Sequence, residues 1–265
     1  DSRLVEVYIN GQYMGVEVYV EQLGEQFLRR NGLMPGDIYV GEMVGKDSFR
    51  SVPKEVFLNP AYWTKDAVNN HTPPEWDLAL KQLSSSIYRE DIDGMLELLD
   101  LDSWARFSAF ITIAQTSHFD SMHNWRLYFD PAMGRFKPIV WDPAGWNFKA
   151  YVGWINQQTN RMDIISSVIF ERLHRDHRFL AAKHAAIESF FREGGQEFIL
   201  KDLSETDALE SSLKRDRNLY FDATYTLSPA EVLGEIGEYG KEVEKVLAGI
   251  RKAYLESAPD AARYR

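Results

Sequence analysis

The chain of 265 residues contains no cysteine. That absence excludes disulfides, thiolate zinc sites and thiol nucleophiles. It does not fix a compartment, because cytoplasmic, spore and exported bacterial proteins all occur without cysteine. No run approaches the roughly 18 consecutive apolar residues that span a bilayer, so no transmembrane segment is expected. No signal-peptide pattern follows Asp1, and any export signal would lie outside this sequence. Positive charge is scarce: 30 Lys and Arg against 40 Asp and Glu give a net charge of −10. No nucleic acid partner is therefore expected, and basic substrates are tolerated better than acidic ones. No internal repeat or low-complexity segment is present. What the chain does have is apolar content, 45% hydrophobic residues, enough for one large domain or a small lobe with a larger one.

The pattern divides near residue 72 into a β-rich part, 1–72, and a mainly helical part, 73–265, so the expected class is α+β. Residues 4–9 and 16–21 alternate around Asn10-Gly11, a strong hairpin dipeptide, with Gln-Tyr-Met-Gly lengthening the turn. Glu21–Asn31 reads as a helix stopped by Asn31-Gly32, and Asp37–Val40 as a short strand. Residues 34–72 are broken by Pro and Gly; Lys46 and Arg50 lie there, candidates for phosphate contact against simple solvation. Helices are expected over Glu75–Ser86 with Trp76, Leu80 and Leu83 on one face, over Asp91–Leu99, and over Ser103–Ser117 capped by Asp102. The last of these is apolar on nearly all sides and should be central. Further helices are expected over Met162–Asp176, Phe179–Gly194, Leu203–Tyr220 and Pro229–Glu256, the last with Ser228 as its cap. The tail from Ala258 has no packing signal.

The informative stretch is 118–148. Trp125–Phe129 and Arg135–Trp141 are rich in aromatic and β-branched residues, and Asp-Pro-Ala-Met-Gly lies between them. This reads as a β-hairpin with Phe129 facing Arg135 and Trp125 facing Ile139. Such a pairing brings Asp120 and Asn124 beside Asp142. Two carboxylates and an amide are hard oxygen ligands that suit Mg²⁺ or Mn²⁺, with water and substrate phosphate completing the shell. The order Asp, Asn, hairpin, Asp is comparable to that of protein kinases, although Asn124 stands four positions after Asp120 rather than five. The alternative is structural: Asp120 capping a turn, Asn124 ending a helix and Asp142 opening a Pro-containing turn. A glycoside hydrolase using Asp120 and Asp142 as its acid/base pair is a further alternative.

At these residues the chain resembles the spore coat protein H (CotH) kinase family. The resemblance rests on Asn-Gly-Gln-Tyr-Met-Gly-Val-Glu-Val-Tyr-Val-Glu-Gln at 10–22, His-Asn-Trp-Arg-Leu-Tyr-Phe-Asp at 123–130 and Phe-Lys-Pro-Ile-Val-Trp-Asp at 136–142. It spans most of residues 4–190. It implies an atypical protein-kinase-like fold and ATP-dependent phosphorylation of Ser/Thr in secreted or spore-coat proteins, placing the protein in the extracellular space, cell envelope or spore coat. It also implies Asp120 as the catalytic Asp, Asp142 as the metal-binding Asp and Asn124 as a metal or phosphate contact. Glu21 would lie near the nucleotide, its alternative being a solvent-facing strand residue.

Two departures from the family pattern stand out. Many members follow Trp-Asp with an apolar residue and a second Asp, whereas this chain has Trp-Asp-Pro-Ala-Gly, with Ala144 where the second acid would be. The sequence also opens directly at the Asn-Gly strand, whereas the family carries more β structure and basic residues ahead of that point. A catalytically impaired envelope or coat protein that binds a partner is therefore the second reading. His118 and His123 flank Asp120 without a zinc-like spacing. One expectation is that His118 orients the Asp120 loop; the other is a hydrogen-bonded near-core histidine. The clustered Trp141, Trp146 and Trp154 suit core packing better than stacking on a ligand. His174-Arg175-Asp176 spells the kinase catalytic motif, yet it falls in an amphipathic helical pattern with Ala181 where the Asn would stand. It reads as a decoy.

Overall fold

The computed structural model describes residues 2–43, 55–65, 73, 76–143, 145, 163–205, 210–216, 220–222, 225–226 and 229–256. Lys46, Arg50, Ala144, Trp146, Trp154, Ser228 and the tail from Ala258 lie outside the described residues. The fold is mixed α+β, with small antiparallel sheets among helices. The chain divides into two compact units, Asp1–Gln22 with Phe190–Ala253, and Leu23–Ser189 with Tyr254–Arg265.

In the first unit, β1 (Ser2–Ile9) and β2 (Gln12–Val20) pair antiparallel across Asn10-Gly11. Both turn residues have positive φ, 51° and 79°, as a tight two-residue hairpin turn requires. The expected longer turn is instead a bulge: Tyr8 pairs with Tyr13 and Val7 with Gly15, so Met14 has no opposite residue. Gly15 has φ 136°, and a Cβ there would lie 2.5 Å from the Asp216 carboxylate. That close approach lets Val16 N–H donate to Asp216 Oδ2 at 2.9 Å. The expected helix over Leu203–Tyr220 is broken into α7 (Gly195–Glu205), α8 (Glu210–Arg215) and a strand at Tyr220–Asp222. The long carboxy-terminal helix, Pro229–Arg251, packs on the two before it and buries Val243, Leu247 and Ile250.

The second unit is built on a four-stranded antiparallel sheet in the order β4 (Trp63–Lys65), β3 (Ile38–Gly41), β5 (Trp125–Asp130), β6 (Arg135–Pro138). Strands from before and after residue 72 thus share one sheet. The β5–β6 hairpin forms as expected, one residue out of the expected register: Phe129 pairs with Phe136 and Asp130 with Arg135. The cause is Asp130. It ends the strand and accepts the amides of Ala132 and Met133, while its own carbonyl takes the amide of Gly134, which has φ 67°. The turn is therefore four residues, Pro131 to Gly134.

The sheet is packed on both faces: α1 (Glu25–Arg30) sets Phe27 and Leu28 against Ile38 and Tyr128, while Tyr39 and Leu127 face the main helical core. α2 (Leu78–Arg89) starts later than expected because Asp77 is its cap, leaving Trp76 71% exposed rather than on the apolar face. α3 (Ile92–Leu98) follows the cap Asp91. α4 (Leu101–Ala114) is central as expected, but its cap is Asp100, which accepts Ser103 N–H at 2.9 Å, and not Asp102. Trp104, Phe107 and Ile111 of α4 pack with Phe57, Phe119, Trp125 and Phe170 in the main core. Among the described residues, the buried indole N–H groups are all paired: Trp63 to Val56 O, Trp104 to Phe136 O and Trp125 to Asp120 O. The expected helix over Met162–Asp176 is confined to α5 (Val168–Leu173), because Ser167 is extended at φ −145°. α6 (His177–Arg192) follows.

Candidate active site

The site begins where α4 stops. Gln115 takes the left-handed conformation at φ 50° and closes the helix on the carbonyls of Ile111 and Thr112. Buried Thr116 donates its hydroxyl to Pro143 O, and its Oγ1 accepts His118 N–H at 3.1 Å. The helix end is thereby tied to the segment just past β6. Ala114 also lies against Gly145, where a Cβ would come within 3.0 Å of the alanine Cβ.

His118 is the link between the two arms of the hairpin. Its Nδ1 lies 2.7 Å from Asp142 O and 3.7 Å from Asp142 Oδ2. A carbonyl oxygen only accepts, so Nδ1 carries the hydrogen. On the other side, His118 O accepts Asn124 Nδ2 at 3.1 Å. One histidine therefore holds Asn124 and Asp142 on the same stretch of backbone. Both are non-glycine residues in left-handed backbone, φ 68° and 43°, a costly conformation that clusters at functional sites.

Asp120 is engaged differently. Its Oδ1 accepts Met122 N–H at 2.7 Å and His123 N–H at 3.0 Å, and lies 3.1 Å from His123 Nδ1. His123, not His118, is thus the imidazole on Asp120, while His118 serves Asp142 and Asn124. The two rings meet edge to face, 5.2 Å between centroids. The contacts thus fall into two sets, Asp142 and Asn124 on His118, and Asp120 on His123.

The loop 118–124 is clamped from outside. Met43 N–H donates to Met122 O at 2.7 Å, Val56 N–H to Ser121 O at 2.8 Å, and Ser166 Oγ to Phe119 O at 2.7 Å. Buried Phe119 anchors it in the core. Trp141, half-buried, carries the Arg126 guanidinium 5.1 Å from its ring centre, and Arg126 also pairs with Glu42 at 2.8 Å. Glu21 stands one residue past β2, half-buried, in the unit of Asp1–Gln22. Asp120, Asn124 and Asp142 belong to the other unit.

His174-Arg175-Asp176 lies at the junction of α5 and α6 rather than within one helix. Asp176 accepts the amides of Arg178 and Phe179, capping α6. Arg175 pairs with Glu90 and Glu171. His174 donates from Nδ1 to Phe170 O and lies 3.2 Å from buried Lys183 Nζ. Burial and the Lys183 charge push its imidazole down to about 4. All three residues are spent on structure.

One acidic residue had no sequence signal. Glu55 sits in a Pro-containing run, capping the short helical turn Val56–Leu58, and its second partner is distant in sequence. Its carboxylate accepts Phe57 N–H at 3.3 Å and Val168 N–H at 3.0 Å. It lines a cleft of about 480 Å³ with Asp163, Ser166, Ser167 and Glu171. Burial pushes its carboxyl up to about 7, the two amides oppose that rise, and the charges of Asp120 and Glu171 add to it.

Among the described residues, no group of three or more His, Asp and Glu side chains is arranged to hold a metal ion. The donors that fit one are the Asp142 carboxylate, 59% exposed, and the side-chain carbonyl of Asn124, whose amide nitrogen is spent on His118 O. This is a two-oxygen set of the kind Mg²⁺ accepts when water and phosphate complete its shell.

The chain is similar to a family model described as CotH kinase protein, which matches residues 1–227. A search of curated proteins gave no match.

Proposed function

The chain belongs to the CotH kinase family, and we propose that it is a metal-dependent phosphotransferase carrying the γ-phosphoryl group of ATP to a Ser or Thr hydroxyl of a protein. The observation that carries this reading is the His118 bridge, which fixes Asn124 and Asp142 together in strained backbone beside the Asp120 loop. The Asp142 carboxylate and the Asn124 carbonyl would hold Mg²⁺ or Mn²⁺. Such an ion, when bound, neutralises charge on the phosphates. Asp120 has one oxygen saturated by donors, so Oδ2 is left to orient the acceptor hydroxyl and take its proton. Positioning and charge neutralisation supply most of the catalysis in such a site. The protein substrate would be a coat or envelope protein met outside the cytoplasm.

The test is labelling of a protein acceptor from radioactive ATP with Mg²⁺ or Mn²⁺. Asp120→Asn and Asp142→Ala should each lower labelling by on the order of 100-fold or more, with the melting temperature within about 3 °C of the parent. Equal labelling by parent and variants overturns the reading. A second reading, a binding protein that keeps the fold without turnover, draws on Ala144 in place of a second acid and on the two-oxygen donor set. Mg-ATP at 100 times its dissociation constant stabilises a binder by about 2.7 kcal/mol. A parent that shows no thermal shift with any nucleotide and either ion supports this second reading.

A further inference from the structure

The segment that carries Asp142 leaves the sheet after Pro138 and meets the exit of α4. Residues 114, 116 and 118 face 145, 143 and 142 in turn. Gly145 lies against Ala114, Pro143 O accepts the Thr116 hydroxyl, and Asp142 O accepts the His118 Nδ1 hydrogen. Two successive carbonyl oxygens, those of Asp142 and Pro143, are therefore held by side chains from the helix exit. Thr116 joins the two holds, because its Oγ1 also accepts His118 N–H at 3.1 Å. His118 O in turn accepts Asn124 Nδ2 at 3.1 Å. One hydroxyl thus stands behind both oxygen-donor residues: it reaches Asp142 through Pro143, and Asn124 through His118.

The helix does not need that hydroxyl to stop. Its last turn is closed by backbone bonds, Gln115 N–H to Thr112 O at 3.4 Å and Thr116 N–H to Ile111 O at 3.2 Å, with Gln115 left-handed between them. This closure is frequently accompanied by an apolar side chain at the position Thr116 holds, packed on the turn before. Thr116 is 1% exposed, so the shape of valine would suit the place as well. A buried hydroxyl is costly unless it is hydrogen-bonded, and this one is bonded to Pro143 and His118. We propose that Thr116 is a positioning residue of the cation site: its hydroxyl fixes the backbone of Asp142 against that of Asn124 before an ion arrives. The proposal rests on the phosphotransferase reading, which supplies the ion. Asp142 and Asn124 hold left-handed backbone, φ 43° and 68°, a conformation that persists only where the surroundings over-determine it. The two Thr116 bonds belong to that constraint. Groups that orient metal ligands from behind typically change metal affinity about 10–100-fold when removed.

The test compares Thr116→Val, which keeps the shape and loses the hydroxyl, with Thr116→Ser, which keeps the hydroxyl. Dissociation constants are measured below the melting transition, for Mn²⁺–ADP by water-proton relaxation and for ADP with a chelator by calorimetry. In the parent, Mn²⁺ should tighten ADP binding. Thr116→Val should weaken the Mn²⁺–ADP complex by on the order of tenfold or more and leave metal-free ADP binding unchanged. Thr116→Ser should bind both as the parent does. Should the valine variant not fold, Thr116→Cys, with its weak thiol donor, should lose part of the Mn²⁺ gain. Equal weakening of both complexes marks a merely structural role and overturns the proposal. So does a Mn²⁺ gain undiminished in the valine or cysteine variant, or a serine variant no better than valine. A parent that gains nothing from Mn²⁺ overturns the cation-site reading itself, and the role of Thr116 with it.

Discussion

Replacing Asp142 by glycine should raise stability and remove the ligand response together. Asp142 has φ 43°, and left-handed backbone costs an L-residue roughly 1–2 kcal/mol, less for the short polar Asp. Glycine is relieved of that cost. It adds about 0.4–1 kcal/mol of freedom to the unfolded chain, so the net gain is about 0.5–1 kcal/mol. The side chain contributes little to offset this. It is 59% exposed, and its oxygen is 3.7 Å from His118 Nδ1, an exposed contact worth well under about 1 kcal/mol. The stronger bond, from His118 Nδ1 to Asp142 O at 2.7 Å, uses backbone that glycine keeps. At about 2–4 °C per kcal/mol for a protein of this size, the melting temperature should rise by about 1–4 °C. Differential scanning calorimetry without ligand and with Mg-ATP reads both effects, and the variant should show no stabilisation by Mg-ATP. A fall of several degrees, or an undiminished ligand shift, would show that the backbone at 142 is not strained for the sake of its carboxylate.

Two further outcomes are expected. Asp100→Ala should cost about 1 kcal/mol by removing the cap of α4, whereas Asp102→Ala should stay within about 0.5 kcal/mol; urea unfolding of the two variants separates them. His174 has its imidazole pushed down to about 4, so the unfolded chain takes up a proton there first as pH falls. Stability is then lost from about pH 6.5 downwards. His174→Gln should flatten that decline, as seen in melting temperatures taken across the acid range.

The sequence announced the hairpin because two aromatic, β-branched runs flank a Pro-Gly turn, and it announced the central helix because its apolar stripe is wide. The misplacements were local choices between chemically equal candidates. Asp100 and Asp102 can both cap, and only the geometry of Ser103 decides. Asp130 could open the turn or end the strand, and its side-chain bonds to Ala132 and Met133 decide. Ile164 and Ile165 fit a helical period, but the extended Ser167 starts the helix after them. Asp120, Asn124 and Asp142 were legible as a constellation from spacing. Which histidine serves which carboxylate was not, since His118 and His123 flank Asp120 almost evenly in sequence. Glu55 and Lys183 were invisible for a different reason: Glu55 reaches Val168 and Lys183 reaches Asp163, 113 and 20 residues away, and no periodicity encodes such a meeting.

The three outside clamps on residues 118–124 have a thermodynamic consequence. A loop with no regular structure ordinarily surrenders conformational freedom when it captures a ligand, and that loss is subtracted from affinity. Here the ordering has already been done during folding, by Met43, Val56 and Ser166. Whatever docks at this loop meets a surface that is already frozen, so a few well-placed contacts suffice for tight capture.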